Sequence, residues 1–241
     1  MVRRVCSPVR SRLGLDEAAK LLGETEMFSP LGATDLADLA AATLQRTYSR
    51  GQYLCAQGDT GDQLFVIAEG LVKVVFATEQ GAEMVLARLR PPDVFGELAV
   101  LDEAPRSASV LAVEPTLVLT LSRPRLLDAM RSSPQLVDAV LVVLGGMVRR
   151  LIEQAGDLAF LDLGGRLAKL LLRLGTEHGV TRGDAVLDLP FTQSDLAAMI
   201  GASRPALNRV LHLFADRGFL EINGQAIVLL DLPGLRRRAG I

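Results

Sequence analysis

The sequence predicts an α+β protein built from an antiparallel β-domain, a long helix and a C-terminal winged helix-turn-helix. Three observations support this prediction. Short apolar runs rich in Val, Leu and Phe, separated by turn residues, fill residues 46–121. After Pro134, apolar residues recur in steps of three and four over more than three heptads. Two short helical patterns joined by a Gly-containing turn then precede an Asn-Gly hairpin signal.

The composition excludes several classes of protein. The chain has 241 residues, enough for two small domains. No apolar run reaches the roughly 18–20 residues of a membrane helix, and the basic N-terminus lacks the apolar core of a secretory signal. Two distant cysteines, Cys6 and Cys55, and two histidines cannot supply an iron–sulfur cluster or a His-rich metal site. We therefore expect a cytoplasmic protein without disulfides, metal or resident cofactor, in which Cys55 belongs to the core.

Charge is distributed unevenly along the chain. The net charge of −2 by itself argues against a nucleic-acid partner. Residues 163–241, however, hold ten Arg or Lys against seven Asp or Glu, which leaves −5 on the remainder. This asymmetry indicates that the C-terminal part meets an anion, although imbalances of this size are common on solvated surfaces.

The pattern divides the chain into four segments. We expect a flexible tail over residues 1–21, a β-domain over 22–133, a dimerisation helix over 134–162 and a winged helix over 163–241. Short helical patterns occupy residues 14–45, the second of them capped by Thr34. The β-domain should contain about eight strands.

The long helix predicts a coiled-coil seam. An amphipathic helix packed on its own domain is the alternative, and the dimer is favoured because no second long helix is available as an internal partner. Two adjacent glycines, Gly145 and Gly146, allow either a close helix approach or a kink. The predicted seam consists of Val137, Val140, Leu144, Met147, Leu151, Gln154, Leu158 and Leu161.

The C-terminal segment carries clear capping signals. Thr192 precedes a helix with Asp195 three positions on, which is a variant of the capping box. Ser203 caps a second helix, and Pro205 sits in its first turn, where a missing N–H does no harm. These signals predict two short helices joined by a tight turn, with a hairpin wing after them.

This order of parts resembles the cyclic-AMP receptor protein/FNR family of bacterial transcription regulators, over about residues 22–232. Three stretches carry the resemblance. "FGELAVLDEAPRSASV" resembles the family's phosphate-binding cassette within a jelly-roll-like β-roll. "GDLAFLDLGGRLAKLLLRL" resembles the end of the dimer helix and the hinge. "FTQSDLAAMIGASRPALNRVLHLFADRGFL" resembles its helix-turn-helix.

The cassette has a physical interpretation of its own. Gly96 turns the chain into a short helix whose first N–H groups favour an anion. Arg106 has the planar fork to clamp a phosphate, Ser107 has a further donor, and Glu97 suits a ribose 2′-hydroxyl. The residues alone are equally compatible with an internal Glu97–Arg106 ion pair that closes the barrel.

The resemblance implies a cyclic-nucleotide effector, with cAMP first and cGMP or a cyclic dinucleotide as alternatives. The positions that contact adenine in cAMP-responding members are apolar here, so Arg149, Glu153 or Gln154 substitutes, or the nucleotide differs, or activity needs no effector. The effector-binding residues implied are Gly96, Glu97, Leu98, Ala99, Arg106, Ser107, Leu151 and Ile152.

The resemblance also implies a DNA-reading helix, Ser203–Arg217, that enters the major groove. Arg204 and Arg209 match the two arginines of the family's motif, whereas Pro205 replaces a glutamate that is common there, so the preferred base should differ. The "LRRRAG" tail is expected to be solubilising or to touch DNA only loosely. The DNA-binding residues implied are Gln193, Ser194, Ser203, Arg204, Pro205, Asn208 and Arg209.

An enzyme is not expected, because the sequence shows no nucleophile–base pair, metal cluster or Walker loop. The expected partners are double-stranded DNA with a palindromic operator, a second copy of the chain and RNA polymerase, but no membrane. The alternative within the same class is a regulator that is constitutively active or reads another signal.

Overall fold

The computed structural model describes residues 12–80, 83–177, 185–187, 192–224 and 226–241. The chain divides into two compact units, Met1–Met147 and Val148–Ile241, and each is described by itself. Within the described residues, no helix is both long and apolar enough to cross a membrane. Cys6 and His178 lie outside the described residues.

The first unit contains the predicted β-domain. Eight strands among the described residues form two antiparallel four-stranded sheets, ordered β1-β8-β3-β6 and β2-β7-β4-β5, which confirms the antiparallel β prediction. The strands are β1 (Leu44–Tyr48), β2 (Tyr53–Cys55), β3 (Gln63–Glu69), β4 (Val72–Ala77), β5 (Glu83–Leu89), β6 (Val94–Phe95), β7 (Ser109–Ala112) and β8 (Thr116–Ser122).

Strand β8 explains how this unit holds together. Because side chains alternate across a strand, Val118 enters the core between the sheets while Leu119 and Leu121 enter a second core under the helices. Both faces are therefore apolar. In the inter-sheet core, the rings of Phe65 and Phe95 stack with centroids 4.8 Å apart.

The helices of the first unit cover one sheet. They are α1 (Leu15–Glu24), α2 (Ala33–Ala41), α3 (Glu97–Asp102) and α4 (Arg123–Ser132), followed by the start of α5 (Pro134–Phe160). Ala18 and Leu22 of α1 are buried, so the flexible tail predicted for residues 1–21 is wrong from residue 15 onward. The predicted cap Thr34 is also wrong, because the N-cap of α2 is Gly32.

The first half of α5 packs on its own unit. Leu136 and Val140 are buried in the core that contains α1, α2 and α4, and Leu144 packs against it. Two residues of the predicted seam, Val140 and Leu144, therefore pack inside the unit, because these short helices supply an internal partner. Farther along, exposed apolar residues continue along one side of the helix, and we call four of them the open face. It consists of Val148, Leu151, Ile152 and Ala155.

The second unit contains the predicted winged helix. Its core joins Leu167 and Leu171 to Leu207, Leu211 and Phe214. Strands pair in the order β10-β11-β9, and the wing turns at the Asn-Gly signal. The elements are α6 (Leu163–Glu177), β9 (Ala185–Leu187), α7 (Gln193–Met199), α8 (Arg204–Asp216), β10 (Leu220–Asn223), β11 (Ala226–Leu229) and α9 (Leu232–Ala239).

The "LRRRAG" segment lies in a packed helix, α9, which the sequence did not predict. Leu235 and Ala239 are buried in the same core as α8. Asp231 caps the helix, because its Oδ1 accepts a hydrogen bond from the Gly234 N–H at 2.8 Å. The arginine run thus belongs to a packed helix with two buried apolar residues.

Candidate functional site

Several residues predicted to form an anion site lie together at the start of α3. Gly96 adopts a left-handed conformation, with φ of 84°, and Glu97 begins the helix. Glu97 is 5% exposed and Arg106 is 6% exposed, which is unusual for charged side chains. Ala99 is buried beside them, whereas Leu98 and Ser107 are exposed.

Arg106 is held by the backbone on two sides. Its Nη1 donates to the Gly96 carbonyl oxygen at 2.8 Å, and its Nη2 donates to the Gln63 carbonyl oxygen at 2.6 Å. The guanidinium also lies 5.4 Å from the ring centroid of Phe65. Its Nε is buried and has no hydrogen-bond partner among the described residues. Because a guanidinium has five N–H groups, Arg106 is oriented and keeps donors for an anion.

Two glycines make room for this guanidinium. A Cβ added at Gly61 would lie 2.7 Å from Arg106 Nε and 2.5 Å from the Ala99 Cβ, and one at Gly96 would collide with Nη1. In the sequence alone, Gly61 is one of several glycines in turns between apolar runs. Its proximity to Arg106 depends on contacts between distant segments, as does the hydrogen bond that Arg106 donates to the Gln63 carbonyl oxygen, 43 positions away.

The two apolar positions implied as base contacts lie in the second half of α5. Leu151 and Ile152 belong to the second unit, where they are 61% and 66% exposed on the open face of α5. Neither side chain carries a hydrogen-bonding group.

Cys55 lies near the anion site without the properties of a reactive thiol. Burial raises the pKa of its thiol, and the positive charge of Arg106 opposes that rise only in part. A raised pKa keeps the thiol protonated and weakly nucleophilic. Within the described residues, no group of three or more His, Cys, Asp or Glu side chains could hold a metal ion.

The helix-turn-helix is capped as the sequence predicted. Thr192 Oγ1 accepts from the Asp195 N–H at 3.1 Å, and Asp195 Oδ2 accepts from the Thr192 N–H at 3.1 Å. Gly201, with φ of 63°, turns the chain between α7 and α8. Ser203 Oγ then accepts from the Ala206 N–H at 3.4 Å and begins α8.

Helix α8 presents a defined row of side chains to solvent. Leu207, Leu211 and Phe214 face the core. At 100° per residue, the side directly opposite carries four exposed residues, which we call the outer ridge. The outer ridge consists of Pro205, Arg209, His212 and Asp216.

Two other predicted DNA-binding residues of α8 lie on its flank. Arg204 is exposed, and its Nε donates to Gln193 Oε1 of α7 at 3.4 Å. Asn208 is half-buried, and its Oδ1 has no partner among the described residues. A cleft of about 500 Å³ lies between the start of α7 and the wing. Its lining includes Thr192, Gln193, Ser194, Arg204, Ile222 and Gly224.

A β-domain with a buried, donor-bearing arginine and a winged helix-turn-helix are together typical of a DNA-binding regulator. Comparison with protein families supports this class. A cyclic nucleotide-binding domain matches residues 45–133, and a Crp-like helix-turn-helix domain matches residues 165–238. The chain belongs to the CRP/FNR family of transcription regulators, and it is not an enzyme.

Relatives extend over nearly the whole chain. A CRP-like cAMP-activated global transcriptional regulator of Mycobacterium tuberculosis is 31% identical over 221 residues, covering 91% of this chain and 99% of the relative. The cAMP-activated global transcriptional regulator of Salmonella typhimurium is 30% identical over 186 residues, covering 76% and 87%. The crystal structure of the Thermus thermophilus catabolite activator protein matches with a TM-score of 0.53 and 29% identity, covering 89% and 98%.

Proposed function

We propose that a cyclic nucleotide, cAMP first, binds the β-roll and controls the binding of a homodimer to a palindromic DNA operator. The observation that carries the effector part is the buried Arg106 guanidinium, which the backbone orients and whose Nε is unpartnered. A planar guanidinium with donors to spare suits a phosphate. Its place at the start of α3 is consistent with that ligand.

The residues of the cassette would contact different parts of the nucleotide. Arg106 would bind the phosphate together with the first N–H groups of α3, after Gly96. Glu97 would accept from the ribose 2′-hydroxyl, and Leu98, Ala99 and Ser107 would border the pocket. Two relatives are named as cAMP-activated regulators, which supports proposing cAMP ahead of other nucleotides.

A second effector assignment rests on the two apolar base-contact positions. Leu151 and Ile152 cannot satisfy the polar edge of adenine, and each buried polar group left unpaired costs about 1–3 kcal/mol. The alternative is a regulator that responds to cGMP or a cyclic dinucleotide, or to no small effector.

Titration calorimetry of the full-length protein with cAMP and then cGMP tests the pocket. We expect micromolar binding of cAMP and a loss of at least about tenfold in Arg106→Ala, since charged hydrogen bonds to the phosphate disappear. Arg123→Ala is the matched control: Arg123 Nε donates to the Val100 carbonyl oxygen at 2.8 Å and supports the other end of α3. If neither nucleotide bound while Arg106→Ala only lowered stability, Arg106 would be an internal structural arginine.

For DNA, we propose that α8 enters the major groove while α7 contacts the backbone. Arg204 and Arg209 would contact base edges or phosphates, with Ser203, Pro205 and Asn208 nearby. Gln193 and Ser194 at the start of α7 would meet phosphates. A gel shift on genomic fragments with Arg204→Ala tests the assignment; equal weak binding by both proteins would contradict it.

We further propose how the regulator dimerises and where in the cell it acts. The open face of α5 would form the dimer contact, and each protomer would occupy one half-site, one helical turn apart. A regulator of this class acts in the cytoplasm and would meet RNA polymerase there. Domain boundaries near residues 133 and 162 are part of this proposal, with α1 assigned to the β-domain.

A further inference from the structure

The outer ridge of α8 begins with an apolar residue. Pro205 is its N-terminal member, and Arg209 follows one turn later. At the other end, Asp216 would be repelled by DNA phosphates. The N-terminal end of the ridge is therefore the end that can enter the major groove, and Pro205 is the first side chain at that end.

The first turn of α8 has one backbone N–H donor fewer than a helix without proline there. Pro205 occupies the second helical position and has no N–H. The cap Ser203 accordingly accepts from the next residue, Ala206, at 3.4 Å. Arg204 leans along the flank toward Gln193, with 3.4 Å between Nε and Oε1. What faces outward between these groups is an exposed pyrrolidine ring without a donor or acceptor.

Resting on the proposed DNA binding, we propose that Pro205 recognises the methyl group of a thymine in each half-site, close to the base that Arg209 contacts. In the major groove the C5-methyl of thymine is the apolar feature that a base pair offers. A proline ring cannot accept a hydrogen bond from cytosine N4 or bond to adenine or guanine. The ring and the thymine methyl exclude water from each other, which favours T·A at that position.

The spacing of the ridge limits where this thymine lies. Pro205 and Arg209 are four residues apart, or about 6 Å along the helix axis. Base pairs are stacked at about 3.4 Å. The thymine should thus fall within about two base pairs of the base read by Arg209.

The test starts from an operator chosen by the protein itself. Full-length wild-type chain selects its sites from a pool of random DNA duplexes, with and without cAMP. Each thymine of the selected half-site is then replaced in turn by deoxyuridine, which removes only the methyl group, and affinity is measured by fluorescence anisotropy. We expect one thymine per half-site at which the replacement weakens binding about three- to fivefold.

Two variants decide whether Pro205 is responsible. Pro205→Glu, which introduces an acceptor for cytosine N4–H, should lose that deoxyuridine effect and prefer C·G over T·A there by about fivefold or more. Pro233→Glu makes the same change at the second position of α9, also exposed and outside the helix-turn-helix, and should retain the wild-type pattern. Circular dichroism verifies that both variants are folded.

The outcomes separate this inference from the proposed function. If wild type selects an operator but no thymine depends on its methyl, or if Pro205→Glu keeps the wild-type dependence, Pro205 does not read thymine although the DNA-binding function stands. If wild type enriches no sequence and binds duplexes no better than Arg209→Ala, the DNA-binding proposal fails and this inference fails with it.

Discussion

Arg238 Nη2 lies 2.6 Å from both carboxylate oxygens of Asp162. This ion pair joins the C-terminal helix α9 to the residue that precedes α6. Asp162 Oδ1 also accepts from the Gly165 N–H at 2.8 Å, so the same carboxylate caps α6. Gly164 leaves the space for Arg238, because a Cβ there would lie 2.9 Å from its Cζ. The last helix of the chain therefore fixes the first turn of α6.

Replacing Arg238 by alanine should lower the free energy of unfolding of the second unit. Surface ion pairs contribute up to about 1 kcal/mol, and the guanidinium also packs over Gly164. Urea denaturation followed by circular dichroism measures the change. Arg236→Ala, an exposed arginine of the same helix, should have no measurable effect. Equal stability of Arg238→Ala and wild type would mean that the pair contributes nothing in solution.

Stability of the second unit should also fall as the pH drops through the carboxylate range. Hydrogen bonds from Lys169 lower the pKa of Glu153 below its ordinary 4.5, and hydrogen bonds from Arg238 and the Gly165 N–H lower the pKa of Asp162 below its ordinary 3.8. A carboxyl whose pKa is lowered on folding stabilises the fold above its unfolded pKa, and that contribution disappears as pH falls through the folded pKa.

The pH dependence can be assigned to these two groups. Urea midpoints of wild type should decrease as the pH falls from about 5 to 3. The double variant Glu153→Gln with Asp162→Asn should be less stable at pH 7 and lose less stability over that interval. Identical slopes for the two proteins would exclude these carboxyls as the source.

Gly61→Ala should damage the anion site without unfolding the β-roll. The new methyl group would lie 2.5 Å from the Ala99 Cβ and 2.7 Å from Arg106 Nε, so Arg106 or α3 must move. Overpacking of this kind costs about 1–3 kcal/mol, and nucleotide binding should weaken at least about tenfold. Calorimetry and urea denaturation give the two readouts. Gly32→Ala, whose Cβ would have 3.8 Å to its nearest neighbour, is the control for nucleotide affinity, although the loss of the glycine N-cap of α2 should itself lower stability. An unchanged nucleotide affinity would mean that Arg106 does not contact the ligand.

Local sequence signals predicted much of the fold. The strand pattern of residues 46–121 and the wing at Asn223 and Gly224 are found where expected, because turn residues and alternation are local properties. Both caps of the helix-turn-helix are local as well. Helix α9 was missed as a packed element, since only burial of Leu235 and Ala239 against distant helices distinguishes it from a basic tail.

The candidate site was predictable only in its charged residues. The cassette pointed to Arg106 and Glu97, and both are buried together with Ala99. The groups that hold Arg106, namely the Gln63 carbonyl oxygen and the ring of Phe65, come from a strand some forty residues away and carry no motif. The sequence also could not predict which half of α5 packs on its own unit, because both halves have the same apolar periodicity.

The open face of α5 should be the dimer contact, and Ile152 tests this directly. It is 66% exposed and is one of the four apolar residues of the open face, and an exposed apolar surface of this kind indicates a contact with a partner. Ile152→Glu would place a carboxylate opposite its own copy in a two-fold contact, so we expect monomers where wild type is dimeric in light scattering. Gln154→Glu adds the same charge two residues later, off the open face, and should remain dimeric. Gln154 belongs to the seam predicted from the heptads. If Gln154→Glu were monomeric and Ile152→Glu dimeric, the dimer contact would be that seam and not the open face.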